Sequence, residues 1–190
     1  MRASTRRRLP AMLVGLALLG AIAPAALAQP PAGAQAGATV TVQVGAGLES
    51  EAARYGRREF PILTEDLQKT VAKAAARGGF TRLDLVLEYA RPNRPTINQL
   101  GLDPGLSFNS IGLGGATVTG TVYRADGTAL PLKFSWYEDD LHNEFCPATW
   151  TDAERAFQLL ADDLAHGRVS SRFGPGRLEP RPYLDRRTVF

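Results

Sequence analysis

Residues 116–137 read Ala-Thr-Val-Thr-Gly-Thr-Val-Tyr-Arg-Ala-Asp-Gly-Thr-Ala-Leu-Pro-Leu-Lys-Phe-Ser-Trp-Tyr, two alternating arms around Asp126-Gly127. In the first arm Ala116, Val118, Gly120 and Val122 share one face, and Thr117, Thr119, Thr121 and Tyr123 share the other. In the second, Leu130, Leu132, Phe134 and Trp136 alternate with Pro131, Lys133, Ser135 and Tyr137. Successive side chains on a strand point to opposite faces, so each arm has one face fit for a core. Gly127 accepts positive φ without a Cβ clash, which makes Asp-Gly a good hairpin turn. Pro131 cannot donate to a ladder, so the second arm is expected at a sheet edge.

Upstream of the hairpin, residues 39–44 alternate Val40, Val42 and Val44 with polar neighbours and predict a short strand. Residues 45–60 show no period and read as loop. A helix is expected over 65–77, with Thr64 as N-cap, Glu65 and Asp66 at the positive end of the dipole, and Gly78-Gly79 as the stop. Residues 81–89 predict a strand with Leu83, Leu85, Leu87 and Tyr89 on one face. Residues 91–115 carry Pro92, Pro95, Pro104 and five glycines, a long excursion that reads as a mobile loop or a binding lip.

Downstream, residues 151–166 predict an amphipathic helix with Phe157, Leu160, Ala161 and Leu164 as its apolar stripe. Thr151 and Glu154 have the spacing of a capping box. The predicted order is β-α-β-β-β-α, an α+β two-layer sandwich with a mostly antiparallel sheet and two helices on one face.

Residues 1–28 have the plan of an export signal: Arg2, Arg6, Arg7 and Arg8, an apolar run over 11–23, and Ala26-Leu27-Ala28 as a cleavage site. A flexible leader over 29–38, a single domain over 39–167 and a C-terminal tail over 168–190 complete the expected plan. The whole chain carries 22 Lys+Arg against 19 Asp+Glu, and removing the four signal arginines leaves 18 against 19, a net −1. The positive charge therefore belongs to the signal and offers no support for nucleic-acid binding. No stable membrane span is expected once the signal is cleaved. The periplasm or the medium is the expected location. With Cys146 as the single cysteine, an internal disulfide is impossible.

The helix and Leu-Asp-Leu strand within 63–89, the glycine-rich lead into Gly120-Thr-Val-Tyr-Arg-Ala-Asp-Gly, and the closing helix together resemble small uncharacterised bacterial periplasmic and envelope α+β proteins. The resemblance covers roughly residues 39–166 and implies a fold and an address, with no catalytic residues to carry over. Many such proteins are lipoproteins; this chain departs from them by lacking the lipid-bearing cysteine.

The densest polar cluster follows the hairpin: Glu138, Asp139, Asp140, His142, Glu144 and Cys146. Asp139, Asp140, His142 and Glu144 have the donor types of a divalent-metal site, although no recognised ligand spacing is present. A solvated acidic connector is the plainer reading. Gly112-Leu-Gly-Gly leads into a strand rather than a helix, so close backbone approach explains it better than phosphate binding. Cys146 and His142 lack a visible orienting group for nucleophilic catalysis. Tyr123, Tyr137 and Trp150 are candidates for a ligand or partner surface. The leading functional expectation is a non-catalytic exported binding or envelope-accessory protein needing no cofactor, its partner an envelope protein or a small ligand. The alternatives are a metal-dependent or hydrolytic enzyme using 138–146, and a small-ligand carrier with 91–115 as its lip.

Overall fold

The structure, a computed structural model, describes residues 37–140 and 148–169. The signal, nearly all of the leader, His142, Glu144, Cys146 and the tail beyond Val169 lie outside the described residues. The chain is α+β. Its strands are β1 (Thr39–Val44), β2 (Phe80–Arg91), β3 (Gly115–Arg124) and β4 (Ala129–Tyr137), in one mixed sheet of order β1-β2-β3-β4. β1 runs parallel to β2, whereas β2–β3 and β3–β4 are antiparallel. The helices are α1 (Ala46–Ser50), α2 (Ala52–Tyr55), α3 (Glu59–Arg77), α4 (Ile97–Leu102) and α5 (Thr151–Ala165).

The hairpin forms as its sequence predicts. Val118 faces Phe134, Val122 faces Leu130, and Gly127 takes φ +84° in a turn where the Thr128 amide donates to Asp126 Oδ1 at 2.8 Å. β4 is an edge strand, so Pro131 leaves no internal ladder bond unmade. Leu83, Leu85, Leu87, Val118, Phe134 and Trp136 share one core with Leu63, Leu67 and Val71 of α3 and Phe157, Leu160 and Leu164 of α5. The other face of the sheet is polar: Thr41, Gln43, Arg82 and Lys133 are exposed, while Thr117, Thr119, Thr121 and Tyr123 are half-buried.

Several local expectations are corrected. The segment read as loop over 45–60 contains α1, α2 and the first two residues of α3. The helix α3 begins at Glu59 rather than Glu65, because Pro61 falls in its first turn, where an amide donor has no helical acceptor to lose. Thr64 is consequently inside the helix, its hydroxyl donating to the Phe60 and Pro61 carbonyls at 3.1 Å each. The Thr151–Glu154 capping box does not form, since Trp150 occupies the N-cap without a side-chain cap. A capping box forms instead at α4, between Thr96 and Gln99.

The correction with most consequence is in β2. The register shifts between Leu87 and Tyr89, a bulge at Glu88, whose Oε1 accepts from Thr119 Oγ1 at 3.1 Å. A bulge reverses the facing of everything beyond it. Ala90 therefore enters the core, and Tyr89 and Arg91 turn to the polar face.

Candidate functional site

The polar end of the sheet, where β2 and β4 finish and β3 begins, gathers most of the chemistry. The segment between β2 and β3 is tied down rather than free. Asn93 is buried, its amide donating to the Thr149 carbonyl at 2.8 Å and its carbonyl accepting from Gly112 at 2.7 Å. The Asn93 side chain makes a reciprocal pair with Asp152: Oδ1 accepts the Asp152 amide at 2.8 Å, and Nδ2 donates to Asp152 Oδ2. That carboxylate oxygen also accepts from the Gly114 amide at 2.9 Å. Asn93 thus supplies the side-chain acceptor that α5 does not find at its own N-cap. Farther along, Arg94 Nη1 donates to the Phe108 carbonyl at 2.8 Å, and Asn98 Nδ2 donates to the Ala53 and Arg54 carbonyls that close α2.

On this braced segment four large apolar side chains point outward. Ile97 is 72% exposed, Phe108 68%, Leu102 63% and Ile111 49%, against nearly complete burial of the leucines under the sheet. Ile97 and Phe108 border a groove of about 530 Å³. Glu59 of α3, Arg94, and Ala148 and Thr149 before α5 are also on its wall. Rigid backbone beneath exposed apolar groups lowers the entropy lost when a partner docks.

Behind that groove lies an aromatic cluster. Trp150 is buried, its Nε1 donating to Glu59 Oε2 at 2.7 Å, and it meets Tyr55 edge-on with ring centres 5.8 Å apart. Tyr137 is also buried, its hydroxyl 3.1 Å from Thr117 Oγ1, which is itself 3.0 Å from Ser135 Oγ. Tyr123 is half-buried at the turn end of the hairpin, with the Arg82 guanidinium 3.8 Å from its ring centre. Tyr123 pairs with Ala129 and Tyr137 with Gly115, so the two lie at opposite ends of the hairpin, and Trp150 belongs to the α5 terminus. The three aromatic candidates are not one surface.

Burial pushes the Tyr55 hydroxyl up to about 12; Glu51 reinforces the shift, and Arg54 and Arg91 oppose it. Burial likewise raises Tyr137, against the hydrogen bond from Thr117 and the nearby Arg91 charge. A folded-state value above the ordinary 10 means that the unfolded chain loses this proton first as pH rises. The Tyr55 contribution is therefore whole below pH 10 and is lost progressively as pH climbs from 10 to about 12. Tyr55→Phe should flatten that part of the alkaline stability profile in urea titrations between pH 9 and 12. A profile as steep as that of the parent would contradict the assignment.

Of the acidic connector, Asp139 and Asp140 are exposed. Glu138 is buried, its Oε1 accepting from the Asp139 and Asp140 amides at 3.1 and 3.3 Å, and its Oε2 lying 3.5 Å from Arg155 Nη1. Among the described residues no three His, Cys, Asp or Glu side chains converge as metal ligands. His142 and Glu144, the other two candidate ligands, lie outside the described residues.

Sequence reasoning passed over Arg91. Its guanidinium stands 5.2 Å from the centre of the Tyr137 ring, reached across Gly115, which carries no side chain to separate them. Gly115 has φ +146°, and a Cβ there would come within 2.6 Å of the Tyr137 Cα. Arg91 Nε and Nη2 are buried with no hydrogen-bond partner. None of the ion pairs among the described residues involves Arg91. Arg91 as a whole is half-buried, so what goes unmet is these two donors, and the cation–π contact offsets part of that cost.

Comparison with protein-family models, with curated proteins and with solved structures gives no match for this chain. Among the described residues no helix is long and apolar enough to cross a membrane.

Proposed function

We propose that this chain is a non-catalytic binding protein of the bacterial periplasm or envelope, and that its contact surface is the braced segment between β2 and β3. The observation that carries the reading is the outward display of Ile97, Leu102, Phe108 and Ile111 on backbone fixed by Asn93, Arg94 and Asn98. A surface of exposed apolar anchors on rigid backbone is how protein interfaces concentrate binding energy. The export signal and the resemblance to small envelope α+β proteins support the address, and the two-layer arrangement with one polar sheet face fits that class.

Replacing both Ile97 and Phe108 by Asp should leave the melting temperature within about 2 °C, because neither side chain is in the core. The same double variant should lose the partners that the parent protein retains from an extract of its own envelope. An unchanged set of partners would overturn this reading. The groove between Ile97, Phe108 and Glu59 supports a second use of the same surface, as the lip of a small-ligand carrier. In that case an environment-sensitive apolar dye should be bound by the parent and displaced in the double variant. The metal-dependent or hydrolytic alternative rests on residues 138–146, and metal analysis of chelator-free protein is its test. Stoichiometric metal lost in Asp140→Ala with His142→Ala would favour it.

A further inference from the structure

We propose that the Nε–Nη2 edge of Arg91 is the seat of a small-ligand site, taking one oxyanion, a carboxylate or a phosphate, between the polar face of the sheet and the short helices α1 and α2. The two orphan nitrogens are not an arbitrary pair. Nε–H and the Nη2–H beside it leave the guanidinium along the same edge, nearly parallel, and this fork matches two oxygens of a carboxylate or phosphate. Arginine is spent on such a fork where planar, two-point recognition matters.

The surroundings favour a ligand over an internal ion pair. Acids on adjoining elements are occupied: Glu51 with Arg54 at 3.5 Å, Glu138 with Arg155, and Glu88 with the Thr119 hydroxyl. What faces Arg91 instead is neutral and hydroxyl-rich. Tyr137 lies beside it across Gly115, with Thr117 and Ser135 in hydrogen-bond succession, and Tyr89 stands two residues earlier on the same face. The Arg91 charge acts on the Tyr55 and Tyr137 hydroxyls alike. The Glu51 and Arg54 charges also act on Tyr55, but they pair with each other, which leaves the Arg91 edge to a negatively charged ligand that the nearby hydroxyls can further hydrogen-bond.

The cover over this cluster is α1 and α2, each anchored in the core by one side chain, Leu48 and Tyr55. α1 has five residues and α2 four, lengths at which a helix does not hold by itself. α1 rests directly on Tyr89 because Gly47 has no side chain, since a Cβ there would overlap the Tyr89 ring. The groove beside Arg94 is a separate place, and Asp at 97 and 108 leaves the Arg91 cluster as it is.

The test is a titration of the purified protein with inorganic phosphate and, separately, with acetate, each against chloride at matched ionic strength. Binding is read by calorimetry and by the Arg91 Nε–H resonance, identified from its absence in Arg91→Lys. Wild type should show saturable binding of at least one of the two anions and a downfield shift of that resonance. The anion that binds identifies phosphate or carboxylate as the recognised group. Arg91→Met should bind at least about tenfold more weakly, because it removes both the charge and the fork. Arg91→Lys keeps the charge but not the fork and should also lose about tenfold, which settles the matter if the methionine variant does not fold. Wild type that binds neither anion saturably, or a lysine variant that binds as wild type does, would overturn the proposal.

Discussion

Replacing Asn93 by alanine is expected to lower the unfolding free energy by about 3 kcal/mol, more than any surface substitution in this chain. Asn93 is 1% exposed and Asp152 4%, so neither group lost from the pair can turn to water for a partner. The change strips α5 of the acceptor for its Asp152 amide, a loss comparable with removal of an N-cap and worth about 1 kcal/mol. It also takes a donor from a buried carboxylate, worth about 1.5–3 kcal/mol more, and leaves Asp152 Oδ2 with the Gly114 amide. The backbone bonds of Asn93 to Thr149 and Gly112 are open to alanine, so the effect isolates the side chain. Urea unfolding with an unchanged m-value would give the number. Amide exchange should also quicken in residues 93–114 before it does in the sheet. A loss below about 1 kcal/mol would mean that the pair closes a surface seam and does not brace the binding segment.

That latch illustrates what the sequence could and could not disclose. The hairpin was legible because its information is local: alternation gives the faces, and Asp126-Gly127-Thr128 supplies both the positive φ and the side-chain acceptor. The stripe of α5 was legible for the same reason, since Phe157, Leu160 and Leu164 all reach the core. Asn93 and Asp152 are 59 residues apart, and a single long-range polar pair leaves no period to detect. The bulge at Glu88 is likewise a property of the ladder, fixed by how β3 pairs on either side of it. Without the bulge, alternation puts Tyr89 with the leucines of the core. With it, Tyr89 and Arg91 join the polar face, and the oxyanion cluster exists only because of that reversal. The apolar lip was half legible. Prolines and glycines marked a segment outside regular structure, yet the short helix within it depends on Thr96 and Gln99 capping each other and on Asn98 reaching α2.

Gly78→Ala should destabilise the protein by about 2–4 kcal/mol, and Gly79→Ala by about 1. Backbone conformation alone predicts the opposite order. Gly79 has φ +81°, where an L side chain is strained, whereas Gly78 has φ −81°, which any residue adopts. Space decides the matter. A Cβ on Gly79 meets nothing within 4 Å. On Gly78 it would overlap the Leu164 carbonyl oxygen, with that carbonyl's carbon 2.9 Å away and the Gly167 amide nitrogen 3.0 Å away. These are backbone atoms at the end of α5, so no rotamer change relieves them. The helix itself must move, and Leu160 and Leu164 move with it from their places beside Val71, Ala74 and Ala75. Cores respond to such over-packing with displaced backbone and lost contacts rather than with local adjustment. Paired urea titrations of the two variants would decide it, and an equal loss, or a greater one at Gly79, would show that α3 and α5 can part at this end without cost. If the order holds, the glycine pair that reads as a helix stop has two separate tasks: Gly79 turns the chain, and Gly78 lets the two helices that close the core touch.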